Sequence, residues 1–166
     1  MTEVRIAPWD EDDLDLLRRL NAPEVRHHTG GPETGEQVRA RHERYVHFGG
    51  TGNGCMFTVA LPDGVKVGSV GYWERVWHDE PVSEMGWAIL PQHQGRGLAT
   101  EAVRAVVAEA HTQGRHRWAH AYPSVDNPAS NAVCRKAGFT LLGETDFEYQ
   151  PGHLMRSNDW RLDLAG

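Results

Sequence analysis

The sequence predicts an α/β fold of the α+β kind, a single domain over residues 1–166 with helices set among mostly antiparallel strands. Three observations predict it. The chain is 166 residues long, enough for one real core, and no repeat, low-complexity segment or linker divides it. Runs rich in valine and aromatic residues, bounded by glycine, proline and aspartate, read as strands. Between them lie stretches whose apolar residues recur at helical spacing.

Residues 4–9 read as a short strand with Val4 and Ile6 inward. Residues 10–20 read as a helix. Asp10 can cap it, acids crowd its first turn and arginines its last, and Leu14, Leu17 and Leu20 share a face with Leu16 beside it. Glycine and proline make residues 22–35 a loop. A second helix, polar on most faces, covers residues 34–48 and stops at Gly49 and Gly50, with a flexible connector over residues 50–54. Residues 55–61 and 65–77 form a hairpin about the turn residues Pro62, Asp63 and Gly64. A further strand covers residues 82–90, entered through residues 78–81. A helix runs from Leu98 to near Gly114, and residues 117–123 form a strand. The next helix has Asn127 as its cap, Pro128 at its first position and Gly138 as its stop. Residues 140–150 and 154–164 are the last two strands.

Composition excludes several classes. A net charge of −6 counts against a general nucleic-acid binder, which would show a basic face. No apolar run is long enough to span a membrane, and the acidic N-terminal stretch lacks a signal-peptide core. Cys55 and Cys134 give neither a disulfide framework nor a metal spacing, which fits a cytoplasmic, reducing setting. The ten histidines include no H-E-x-x-H pattern, so no metal is expected, and His78, His93 and His120 read as solvated or core residues. Residues 68–71 are not the G-x-S-x-G of a hydrolase elbow.

The stretch Gln94-Gly95-Arg96-Gly97-Leu98-Ala99-Thr100 carries the chemistry. It opens a helix whose Leu98, Ala102, Val103, Val106, Val107 and Ala110 share one face, while Glu101, Arg104 and Ala108 lie on another. A helix N-terminus offers unsatisfied N–H donors and partial positive charge, and glycines let a large anion approach. Arg96 can add a charge-assisted contact. The pattern suits a pyrophosphate, and a plain strand-to-helix turn remains the alternative. No lysine follows either glycine, as a Walker A loop requires. The third glycine of a dinucleotide fingerprint is missing, and the stretch does not sit in an opening βαβ unit.

The residues Gln94 to Ala99 resemble the Q/R-x-x-G-x-G/A signature of the GNAT superfamily of N-acetyltransferases. The preceding EMGWAILPQHQ looks like that family's fourth strand and turn, and NPASNAVCRKAGF looks like its second motif. The closing FEY and SNDWRLDL are similar to the RimJ/RimL-like branch. The resemblance covers nearly the whole chain and is strongest over residues 84–139. It implies a sheet splayed between strands four and five, with helices on both faces and the pantetheine arm of acetyl-coenzyme A in the gap. Ile89 and Leu90 would pair with that arm through their backbones, Gly95 to Thr100 would meet the pyrophosphate, and Asn127 would contact the coenzyme as well as, or instead of, capping its helix.

The implied reaction is direct attack of an amine on the thioester in a ternary complex. Glu84 is the leading candidate for the base, shielded by Trp73, Trp77 and Trp87 and so raised in pKa, with Glu148 second. Many family members carry a tyrosine acid where this chain has Cys134; Ser130 matches the branch's serine and is the candidate partner for the thiol. An acyl-cysteine route through Cys134 has no histidine beside it in sequence. The expected acceptor is a primary amine, on a small molecule or at a peptide N-terminus, with no nucleic acid or membrane as partner; a homodimer fits the reading. Residues 27–31, 73–77 and 151–153 would line its pocket. Two alternatives stay open: transfer of a larger acyl group, and an acyl-coenzyme A-binding module without catalysis.

Overall fold

The computed structural model describes residues 3–51 and 53–166. Its strands are β1 (Arg5–Pro8), β2 (Gly54–Ala60), β3 (Lys66–Trp77), β4 (Glu80–Ile89), β5 (Trp118–Ala121), β6 (Thr140–Gln150) and β7 (His153–Asp163). They form one sheet in the order β1-β2-β3-β4-β5-β7-β6. Every neighbouring pair is antiparallel except β4 and β5. The helices are α1 (Leu14–Leu20), α2 (Pro23–Arg26), α3 (Gly35–Thr51), α4 (Leu98–Gln113) and α5 (Pro128–Lys136).

Strand alternation sorts the core into two layers. On one face, α1 and α3 bury Leu16, Leu17, Leu20 and Val38 against Met56 and Leu90. On the other, α4 and α5 bury Leu98, Val103, Val106 and Cys134 against Val70, Met85 and Ile89. The mixed sheet with helices on both faces is therefore as the sequence predicts, and no helix among the described residues is long and apolar enough to cross a membrane.

Local chemistry moves several boundaries. Asp10 does cap the first helical segment, but as half of a reciprocal box with Asp13 that makes Glu11–Asp13 a 3-10 turn before α1. The expected loop over residues 22–35 contains one helical turn, α2, because Pro23 at its first position presets the helical φ. The second helix starts at Gly35 and continues past Gly49 and Gly50 to Thr51. Of the expected connector, Gly52 lies outside the described residues and Gly54 already belongs to β2. Strand β4 starts two residues early. His78 and Asp79, at φ 51° and 65°, make a two-residue turn with both corners left-handed, whose twist matches that of the flanking strands.

The β4–β5 pairing is short. Only Ser83 with Ala119 and Glu84 with His120 are in register, and beyond them the strands part. The far wall follows β7 instead. Pro123 O accepts from Asn158 N at 2.9 Å, and Val125 N donates to Arg156 O at 3.0 Å. Asn131 of α5 locks this wall. Its Nδ2 donates to Ser124 O and Asn127 O at 2.9 and 2.8 Å, and its Oδ1 accepts from Asn158 Nδ2 and Trp160 Nε1, both at 2.8 Å. All four hydrogen-bonding sites of the amide are filled, and it is buried.

Asn131→Ala removes those four bonds and leaves the Trp160 indole N–H buried without an acceptor. A loss of about 3 kcal/mol is expected in urea unfolding, where an ordinary surface substitution changes little.

Candidate active site

The gap begins where β4 leaves β5. Leu90 N donates to Val67 O on β3 at 2.8 Å, so the same planar peptide aims the Ile89 carbonyl the opposite way, into the gap. Alternation puts the backbone groups of Trp87 on that side too. The Leu90 N–H is thus used on β3, and its carbonyl accepts from His93 N at 2.9 Å. Gln94 Nε2 donates to Ile89 O at 3.0 Å, so the expected ligand-binding glutamine bridges the strand and the following turn.

That turn leads into an open N-terminus. Gly95 and Gly97 both have φ +77°, a region costly for other residues, and a Cβ added to either would meet nothing within 4 Å. Gly97 is the N-cap of α4 and no side chain caps the helix, so the N–H groups of its first turn, Leu98, Ala99 and Thr100, have no intrahelical partner. Leu98 and Thr100 are both buried. Arg96 stands at the rim with Nη1 3.0 Å from His93 Nδ1. These residues fit a pyrophosphate: the donors are backbone, the glycines leave room, and the dipole of the sixteen-residue α4 has the right sign.

Glu84 lies at the start of the gap, 8% exposed, on the α1–α3 face of the sheet. Burial pushes its carboxyl above the ordinary range, against the opposing pull of the Arg75 guanidinium, which forms an ion pair with it, and of hydrogen bonding by Trp73. Trp73 is its cross-strand partner, and the indole reaches over Gly86, where a Cβ would come within 2.7 Å of the ring. Trp87, expected as a third shield, instead packs with the core cluster on the α4 face, as alternation requires. Glu148 is exposed, whereas its neighbour Phe147 is buried against Tyr122, so the carboxylate points away from this cluster.

On the opposite wall, Asn127 caps α5. Its Oδ1 accepts from Ser130 N at 3.2 Å and its Nδ2 donates to Ser130 Oγ at 3.2 Å. The Ser130 hydroxyl thus receives one hydrogen bond and keeps its own proton to donate. Cys134 is fully buried, and burial pushes its thiol up to about 12, which favours the neutral thiol over the thiolate.

Two residues of this cluster, Asp159 and Tyr122, are not singled out by the sequence, which reads His120 only as solvated or core. His120 is 4% exposed with Nδ1 2.6 Å from Asp159 Oδ1. Asp159 Oδ2 accepts from Trp77 Nε1 at 3.1 Å. Tyr122 stacks on Phe147, 4.4 Å between centroids, and its hydroxyl is buried without a hydrogen-bond partner among the described residues. His120 is on β5, Tyr122 follows that strand and Asp159 is on β7, 39 positions from His120, so no local spacing could announce the pairing. The first loop also meets β6: the hydroxyl of Tyr149 lies 3.5 Å from where a Cβ of Gly30 would be.

The sheet opens between two parallel strands, with an uncapped helix N-terminus at the end of one and a buried carboxylate at the fork, a shape that suits an extended, phosphate-bearing ligand. The family model described as "Acetyltransferase (GNAT) domain" matches residues 3–140, and the chain belongs to that family. It is a coenzyme A-dependent N-acetyltransferase with acetyl-coenzyme A as donor. No curated protein sequence matches it significantly. Among solved structures it is similar to RimL, the ribosomal L7/L12 alpha-N-protein acetyltransferase, in complex with coenzyme A: TM-score 0.80 and 20% identity over 98% of this chain and 95% of that one. Spermidine N-acetyltransferase from Vibrio cholerae, with coenzyme A and spermine, matches at TM-score 0.78 and 16% identity over 98% and 96%. Aminoglycoside acetyltransferase AAC(6')-Ib with coenzyme A matches at TM-score 0.77 and 20% identity over 97% and 95%.

Gly97→Glu places a carboxylate at the helix N-terminus and forces a left-handed φ on a residue with a side chain. A stability loss of about 1–2 kcal/mol is expected, together with loss of acetyl-coenzyme A binding in a protein that still folds. Calorimetry reads the binding, and unchanged affinity would refute the pyrophosphate site.

Proposed function

We propose that this enzyme acetylates a primary amine, on a small molecule or at a peptide N-terminus, by direct attack within a ternary complex. The parting of β4 and β5 one rung beyond the buried Glu84 carries the proposal. Pantetheine lies along the free edge of β4 and pairs with the backbones of Trp87 and Ile89. Gly95, Arg96, Gly97, Leu98, Ala99 and Thr100 hold the pyrophosphate, and Asn127 flanks it from α5. With the coenzyme entering from the α4 end, the amine arrives on the α1–α3 face, where Glu84, His120 and Tyr122 lie. The neighbours support an amine acceptor without choosing among its kinds, since they include a ribosomal-protein enzyme, a spermidine enzyme and an aminoglycoside enzyme. The two free cysteines suit a reducing, cytoplasmic setting.

Glu84 accepts a proton from the attacking nitrogen. Burial favours its neutral form, so it binds that proton more firmly than an exposed carboxylate would. Ser130 donates a hydrogen bond to the departing sulfur. Cys134, kept as a buried thiol, carries no acyl group.

Acetyl-coenzyme A turnover with a panel of amines, read as free thiol, tests the reading; coenzyme binding without turnover of any amine would favour a non-catalytic module. Because the Glu84 pKa is raised, the acidic limb of kcat/KM should fall away at a pH above the ordinary carboxylate range. Glu84→Gln should lower the rate by about 10²–10⁴ with coenzyme affinity unchanged. Ser130→Ala should cost less, and Cys134→Ala should appear in stability and not in turnover. A Glu84→Gln enzyme running at wild-type rate across the pH range would place the base elsewhere.

A further inference from the structure

His120 and Asp159 form a pair that the acetyl-transfer scheme above leaves without a part. His120 is the β5 residue of the last rung before the gap, directly across from Glu84. Both members of the pair are more than nine-tenths buried. Asp159 uses one carboxylate oxygen on His120 Nδ1 at 2.6 Å and the other on Trp77 Nε1 at 3.1 Å. The carboxylate is thus fixed from two sides, and the imidazole cannot turn without breaking its bond. A carboxylate on Nδ1 holds the neutral ring's proton there and leaves a lone pair at Nε2. The charged groups around it are Glu84 from β4, Arg75 from β3 and Asp159 from β7, with the Tyr122 phenol beside them.

Tyr122 marks where a reactant meets this cluster. Its ring lies 5.7 Å from the His120 ring and nearly parallel to it. The other polar side chains have partners: Arg75 has Glu84, and Asp159 has His120 and Trp77. The Tyr122 hydroxyl has none among the described residues. A buried hydroxyl left unpaired in a native fold is the exception, and a bound polar group is what satisfies it.

We propose that His120, oriented by Asp159, takes the proton of the acceptor's ammonium group before attack and leaves Glu84 to take the second proton. This rests on the acetyl-transfer reading above. A primary ammonium attacks only after losing one proton, and the amide it becomes retains a single hydrogen, so two protons leave the nitrogen. In the first step the lone pair of His120 Nε2 takes one proton, and the resulting imidazolium is balanced by Asp159. In the second, the amine lone pair forms the N–C bond at the thioester carbon and the C–S electron pair leaves with sulfur. Glu84 takes the second proton and passes it to the thiolate, giving coenzyme A as the free thiol. His120 releases its proton to solvent. Ammonium and acetyl-coenzyme A thus yield amide, thiol and one proton, with both bases restored.

The test compares two amines acetylated by the wild type: an alkylamine, charged at neutral pH, and an alkoxyamine, already neutral there. Thiol release gives kcat/KM from neutral to alkaline pH for the wild type, His120→Gln, Asp159→Asn and Glu84→Gln. With the alkylamine at neutral pH, His120→Gln should lose about 10²–10⁴, and the loss should fade as the pH rises and the amine loses its own proton. With the alkoxyamine, His120→Gln should run close to wild type, while Glu84→Gln remains slow on both. Asp159→Asn, nearly the same shape, should repeat the His120→Gln pattern and serves in its place if that variant does not fold. Acetyl-coenzyme A affinity should be unchanged in each. Equal losses on the two amines, or none on either, would overturn the assignment. A wild type that acetylates no amine would instead overturn the reading on which it rests.

Discussion

Two strands that agree for two residues and then separate set the terms for the whole molecule. The rung of Ser83 with Ala119 and Glu84 with His120 keeps the sheet continuous, and everything beyond it is open. Backbone groups normally pair with a neighbouring strand, so such an opening needs both walls to be held by other means. The near wall is carried by β3, which stays in register with β4 along its whole length. The far wall is carried by β7 and by the saturated amide of Asn131, which joins α5, the segment after β5 and β7 at one point. Rigid walls fix the separation, and that separation is what an extended ligand can read.

Placing α4 at the end of β4 adds polarity to the opening. One end of the gap carries uncapped N–H groups and glycines with room around them, and the other carries Glu84, Asp159, His120 and Arg75. The two ends lie on opposite sides of the sheet, because α4 packs on one face while the charged residues project from the other. A ligand entering from α4 and a nucleophile arriving at the carboxylates therefore approach from different directions and do not compete for space.

Much of this was legible in the sequence. The helical period of residues 98–110 predicts the face that α4 buries, and Asn127-Pro128 predicts where α5 begins, because both signals are local. Glu84 was readable from its strand and its distance to the glycines. What escaped was set by register. Whether Glu148 or Phe147 faces the site, and whether Trp87 shields Glu84 or packs on α4, depends on an alternation that a single-residue shift reverses. The His120–Asp159 pair escaped for a different reason, since β5 and β7 bring it together only once the sheet is assembled. That the Leu90 N–H turns to β3 is likewise a matter of which way one peptide plane points.

The side chain of Gln94 covers one acceptor of the strand edge where β4 leaves β5, the Ile89 carbonyl. An unpaired strand edge in the middle of a sheet is a template on which a foreign chain can add itself, and proteins with such edges risk assembling into larger aggregates. Gln94 sits on that edge as an internal stopper, satisfying one of the acceptors an intruding strand would seek. It also reaches back from the turn before α4, so one hydrogen bond joins that turn to the strand edge.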